Sequence, residues 1–219
     1  MTDVSPPPPP PPQSSPPPPG AGLLTPSGPS PIQLDLQAPL EVANWRVIGN
    51  PILAIPHFLY LFVLGIVVNV ITVIAWFSIL LTGTYPESMF DFVAGVMRYQ
   101  WRVSTYYFFM REQYPVFGVQ GTLADPGGDP ATFSITYPQN LSRGLIWIKW
   151  LLAIPAFVVL FVYILGVYVA MIVAFFTVLF TGKWPETWRA YTIRVMRYAY
   201  KVNAYYSLMT DVYPGFTVE

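Results

Sequence analysis

The pattern of apolar and polar positions divides the chain into a few long blocks. Val47 to Leu81 is a run of 35 residues without a formal charge, and Trp150 to Phe180 is a second such run. Each is preceded by a short stretch of alternating character, Ile32-Gln33-Leu34-Asp35-Leu36-Gln37 and Phe133-Ser134-Ile135-Thr136-Tyr137, which predicts a strand. Each is followed by a mixed aromatic and basic segment that begins at Pro86 or Pro185 and closes on a Tyr-Pro pair. Early prolines, Glu87 and Glu186 in the first turn, and Thr84-x-x-Glu87 as a capping box predict helices there.

The blocks repeat. A shift of 99 residues lays Leu53-Ala54-Ile55-Pro56 on Leu152-Ala153-Ile154-Pro155, TGTYPE at 82–87 on TGKWPE at 181–186, and VMRY at 96–99 on VMRY at 195–198. From Leu53 to Pro115, 27 of 63 positions are identical without a gap, so the two copies must share a fold. The organisation read from this is a tail over 1–31, a first repeat over 32–117, a linker over 118–131 carrying Asp125-Pro126-Gly127-Gly128, and a second repeat over 132–219.

A straight helix over 35 residues would be about 52 Å long, well beyond a ~30 Å hydrocarbon core. Gly65 with Asn69, and Gly166, offer turning points. A hairpin in each run also places all 11 basic residues and both termini on one side, which satisfies the positive-inside tendency. The favoured expectation is therefore four spans with both termini cytoplasmic. One span per run, or a further span over Pro86–Glu112, are the alternatives; the latter would put Arg98 and Arg102 near mid-membrane. The expected fold is an all-α membrane protein of two tandem repeats, each a short strand, a transmembrane helical hairpin and an amphipathic interfacial helix. Pro56 and Pro155 are expected to kink the apolar helices.

Composition sharpens this picture. The chain is 54% hydrophobic and only 10% charged, against roughly 25% charged in an average soluble domain. Net charge is zero, so no basic field recruits nucleic acid. There is no cysteine, hence no disulfide or thiolate metal site, and the single histidine, His57, reads as packed inside an apolar run. The tail holds 14 of the 25 prolines and reads as a disordered spacer. No Ser/His/Asp grouping, metal-ligand spacing or Gly-rich phosphate loop is present, so no catalytic residue, cofactor or metal is expected and the chain reads as a non-enzyme.

The remaining candidate chemistry lies on the two aromatic-basic helices. At 100° per residue Glu87, Asp91, Gly95, Arg98 and Arg102 share a stripe, and the second copy carries Arg194, Arg197 and Lys201. Such a stripe on a helix in the headgroup plane would meet lipid phosphates or a partner, so Arg98, Arg102, Arg194, Arg197 and Lys201 are the expected lipid- or partner-binding residues.

The order of strand, LAIP, uncharged run, TGxYP or TGxWP, aromatic-basic helix and Tyr-Pro resembles a bacterial integral-membrane family catalogued as a domain of unknown function. The resemblance covers about residues 32–216, although Ala43-Asn44-Trp45 stands where the second copy has Leu-Ser-Arg at 141–143. It implies a bacterial plasma-membrane location and supplies no activity. The expected role is an accessory or scaffold subunit of a larger envelope complex such as a transporter, with membrane lipids and other membrane subunits as partners. The alternative is an independent lipid-handling or small-solute carrier built on the two-fold repeat.

Overall fold

The computed structural model describes residues 30–218; the proline-rich tail, apart from Ser30 and Pro31, lies outside the described residues. The elements are β1 (Ile32–Leu36), α1 (Arg46–Leu53), α2 (Ile55–Thr82), α3 (Glu87–Tyr107), β2 (Ala131–Ile135), a 3-10 turn over Leu145–Trp147, α4 (Lys149–Thr181) and α5 (Glu186–Tyr206).

Neither long apolar run folds back on itself, so the expected hairpins are corrected. Gly65 lies inside α2, and the Asn69 side chain donates back to the Gly65 carbonyl four residues earlier rather than opening a turn. Gly166 is likewise internal to α4. A single interior glycine costs only about 1 kcal/mol against alanine, too little to break a ladder of apolar helical residues. The interruption falls instead at Ala54, between α1 and α2. Pro56, in the first turn of α2, has no N–H for the carbonyl of Ile52, which fits a break at that place. Pro155 stays within unbroken α4.

Both long helices stop at a left-handed glycine, Gly83 (φ 77°) and Gly182 (φ 68°), whose N–H caps the carbonyl four residues back. The chain then enters α3 and α5 through extended Pro86 and Pro185. The expected capping box is absent, because the Thr84 hydroxyl pairs with the Thr82 hydroxyl instead of reaching α3. At their far ends α3 and α5 close with matched left-handed residues, Phe109 and Leu208, followed by 6→1 bonds from Met110 to Thr105 and from Met209 to Ala204. Phe109 and Leu208 are buried, and burying a side chain of that size is worth about 1.5–3 kcal/mol, enough to offset a left-handed cost of roughly 1–2 kcal/mol.

The strands read separately in each repeat are partners. β1 and β2 pair antiparallel, with Leu34 opposite Phe133, its own equivalent in the other copy. The pair therefore sits at the centre of a pseudo-two-fold arrangement. Each strand then packs on the other repeat's charged helix, β2 on α3 and β1 on α5. The exchange recurs at the lead-in loops, where Val42 N–H donates to the Gly182 carbonyl and Leu141 N–H to the Gly83 carbonyl. The repeats are thus one interwoven unit.

Three layers result. The inward strand residues Ile32, Leu34, Leu36, Phe133 and Ile135 are buried against α3 and α5, with Trp101 and Tyr200 meeting edge to face at 6.0 Å. Beyond α3 lies α2, through Leu64, Val96, Tyr99 and Val103. Beyond α5 lies α4, through Ala156, Leu160, Val195, Tyr198 and Val202. Glycine admits the closest of these approaches, since a Cβ on Gly166 would stand 2.2 Å from the Tyr191 hydroxyl.

Candidate functional site

The basic stripe of α3 faces inward. Arg98 is 1% exposed. Its Nε donates to the Phe133 carbonyl at 3.1 Å, and its two terminal nitrogens reach the carbonyls of Gln120 (2.8 Å), Thr122 (2.7 Å) and Ala124 (3.1 Å). One planar guanidinium thereby holds β2 and the linker against α3, which a lysine ammonium could not do. Asp125 stands 3.4 Å from Arg98 and 3.0 Å from Arg102, and it accepts the N–H groups of Gly127 and Phe133. Asp129 takes Arg111 in a short ion pair and caps the Ala131 N–H. Burial pulls the Arg98 and Arg111 guanidinium groups below their ordinary range, while Asp125 and Asp129 respectively oppose that pull.

The second copy repeats the clamp with other partners. Arg197, 9% exposed, donates to the Leu34 carbonyl at 3.0 Å, the equivalent of the bond from Arg98 to Phe133. Arg189 donates to the carbonyls of Pro39 and Ala38, and burial draws its guanidinium down to about 10. At the interface of α1 with the end of α3, Asn50 donates to the carbonyls of Tyr106 and Arg111. Its equivalent Lys149 donates to Thr210 at 2.9 Å and pairs with Asp211 at 2.6 Å.

The expected lipid- or partner-facing set is therefore divided. Arg98 and Arg197 are buried clamps whose donors point at this chain's own carbonyls, and this corrects their reading as headgroup ligands. Arg102 is largely committed to Asp125. Of the five, Arg194 alone is exposed, with Arg102 and Lys201 half-buried. The error came from treating α3 as a surface helix: its stripe is polar because it meets strand and linker backbone, and helical periodicity cannot distinguish that from water. Asp125, Asp129, Arg111, Arg189 and Lys149 were not singled out by sequence. The linker aspartates, flanking the Pro-Gly-Gly turn, were the available signal for two of them.

His57 is buried as expected, with Nδ1 against the Tyr99 hydroxyl and its ring stacked on Phe117 at 4.1 Å. Among the described residues no group of three or more His, Asp or Glu side chains could hold a metal ion. The cations bonded to carbonyls and carboxylates tie strand, linker and helices together.

The opposite face has the other character. Ile55, Leu59, Phe62, Ile66, Val73 and Phe77 of α2 are exposed, as are Leu151, Phe161, Leu165 and Phe180 of α4. Arg46–Thr82 and Lys149–Thr181 are both long and apolar enough to cross a membrane, with 11% and 17% of their most apolar windows buried. A cavity of about 650 Å³ opens along α4, walled by Pro51, Phe108, Met171, Phe175 and Met196 without a formal charge. A family profile described as Domain of unknown function (DUF4389) matches residues 46–118 and 143–217.

The chain belongs to this family. The family matches begin at 46 and 143, after each strand, so both strands fall outside them, and DUF4389 recurs here as a tandem pair. No curated protein and no solved structure matches the chain.

Proposed function

We propose that this protein is a non-enzymatic membrane-embedded subunit, an accessory or scaffold element of a larger envelope complex such as a transporter, in the bacterial plasma membrane with both termini on the cytoplasmic side. One observation carries the reading: the apolar faces of α2 and α4 are exposed along their whole length. A monomeric soluble protein rarely shows a contiguous apolar patch beyond a few hundred Å². The mostly buried apolar helix of a soluble core does not fit either, given how little of these helices is covered. Elsewhere Arg98, Arg189 and Arg197 are bonded to this chain's own carbonyls, and a body tied together in that way with an apolar face suits a role in holding partners. Purification from membranes in mild detergent tests it. Stoichiometric co-purifying membrane subunits are the expected result; a lone species that still carries its lipids would overturn the scaffold role.

A second reading, lipid handling, draws on the uncharged cavity beside α4, which is of a size typical for small-molecule sites. Native mass spectrometry of the purified protein decides between them. A lipid retained by wild type and lost from Met171→Trp would favour this second role.

A further inference from the structure

We infer that α2 and α4 lie in the plane of a single leaflet rather than crossing the bilayer; this rests on the membrane reading above and specifies how the surface is used. Leu64 is the midpoint of the Arg46–Thr82 rod that α1 and α2 form end to end, 18 residues from either end. Val96 of α3 shares a buried cluster with Leu64, and Phe92, Val68 and Val119 pack against the same cluster. The two helices run antiparallel, because Phe58 meets Tyr107 at 5.1 Å and Tyr60 meets Tyr99 at 5.4 Å. On another side of α3, at the same level, sits the linker: a Cβ on Gly95 would stand 2.6 Å from the Gln120 carbonyl. Gln120, Gly121, Thr122, Ala124 and Pro126 to Gly128 are all exposed.

Were the rod upright in a bilayer, this irregular, exposed backbone would stand at the midplane. The Arg98, Arg102 and Asp125 network would stand there with it. Each unsatisfied backbone group in hydrocarbon costs several kcal/mol, and lipid-exposed loops do not occur at that depth. Laid flat, the same three layers match the membrane in order. The apolar helices, each about 10–12 Å across, fit within one leaflet of a ~30 Å hydrocarbon core. The amphipathic α3 and α5 come next. The outer strand face, with Gln33, Gln37 and Thr136 exposed, reaches headgroups and water. A flat pose also keeps both repeats, which the pseudo-two-fold relates, on one side of the membrane.

The absence of cysteine makes the test direct. Single cysteines at Ile52, Leu59, Ile66, Val73 and Leu81 follow one exposed stripe of the rod. In liposomes, spin labels there report depth through their relative accessibility to oxygen and to a water-soluble nickel chelate. A flat helix gives the same depth at all five sites. It also leaves Gln120→Cys reactive to a membrane-impermeant maleimide from one side, equally before and after detergent. A crossing helix gives a depth maximum at Ile66, with Ile52 and Leu81 near opposite surfaces, and that profile overturns the inference while leaving the membrane reading intact. Nickel accessibility at every site, with the protein remaining in solution beside the liposomes, would sink the membrane reading itself.

Discussion

Replacing Arg98 by methionine removes a single side chain yet releases both β2 and the linker. The Phe133 carbonyl, inside the core, loses its Arg98 donor at 3.1 Å, and an orphaned buried acceptor costs about 1–3 kcal/mol. The carbonyls of Gln120, Thr122 and Ala124 belong to exposed residues and can turn to water, so their loss is cheaper. Asp125 keeps Arg102 at 3.0 Å and is not stranded, which holds the charge penalty below the ~3–5 kcal/mol of a broken buried pair. The sum is near 3 kcal/mol, and at about 2–4 °C per kcal/mol for a chain of this size the Tm should fall by roughly 6–12 °C. Thermal unfolding followed by circular dichroism in detergent measures it. Arg194→Met, at an exposed position, is the control and should stay within about 0.5 kcal/mol of wild type. Arg98→Lys should lose most of the same stability, because a point ammonium cannot bridge strand and linker together. If Arg98→Met melted no lower than Arg194→Met, the clamp would be a crowd of contacts without energetic weight.

Further outcomes follow from the same geometry. Gly95→Val should push the linker off α3, since Val119 Cγ1 and the Gln120 carbonyl stand 2.7 and 2.6 Å from the new Cβ; limited proteolysis should then cut within 118–131 where wild type resists. Gly182→Ala should destabilise by about 1 kcal/mol through its left-handed φ of 68°, read as a small Tm loss. Burial raises the phenols of Tyr85, Tyr198 and Tyr200, that of Tyr198 to about 12. Groups whose pKa is raised by folding contribute stability that is complete below pH 10 and lost as pH climbs toward 12. The cations depressed by burial, Arg98, Arg111, Lys149, Arg189 and Arg197, act in the opposite sense over that window. Tyr99, Tyr106, Tyr137, Tyr191 and Tyr205 are raised as well, so the phenols outnumber the cations and a pH series should show alkaline unfolding setting in above pH 10.

The local elements and the tandem architecture were legible in the chain because they depend on near neighbours. The 99-residue offset, the strand at 32 and the aromatic-basic helices follow from periodicity and turn chemistry, while the second strand, read over 133–137, begins two residues earlier at Ala131, inside the expected linker. The continuity of α2 was not, since Gly65 and Asn69 look like a turn and only the finished ladder shows Asn69 folded back on the helix. Nor was the partner of each strand. β1 and β2 have the same local pattern whether they pair within a repeat or across it, and 95 residues separate Leu36 from Ala131. The basic stripe carried the clearest lesson. The sequence by itself determined that Arg98 and Arg197 lie on polar faces of matched helices, for that is a matter of 100° per residue. Only the tertiary structure decided that those faces meet the carbonyls of the exchanged strands, because a guanidinium satisfied by water and one satisfied by backbone leave the same pattern in the chain.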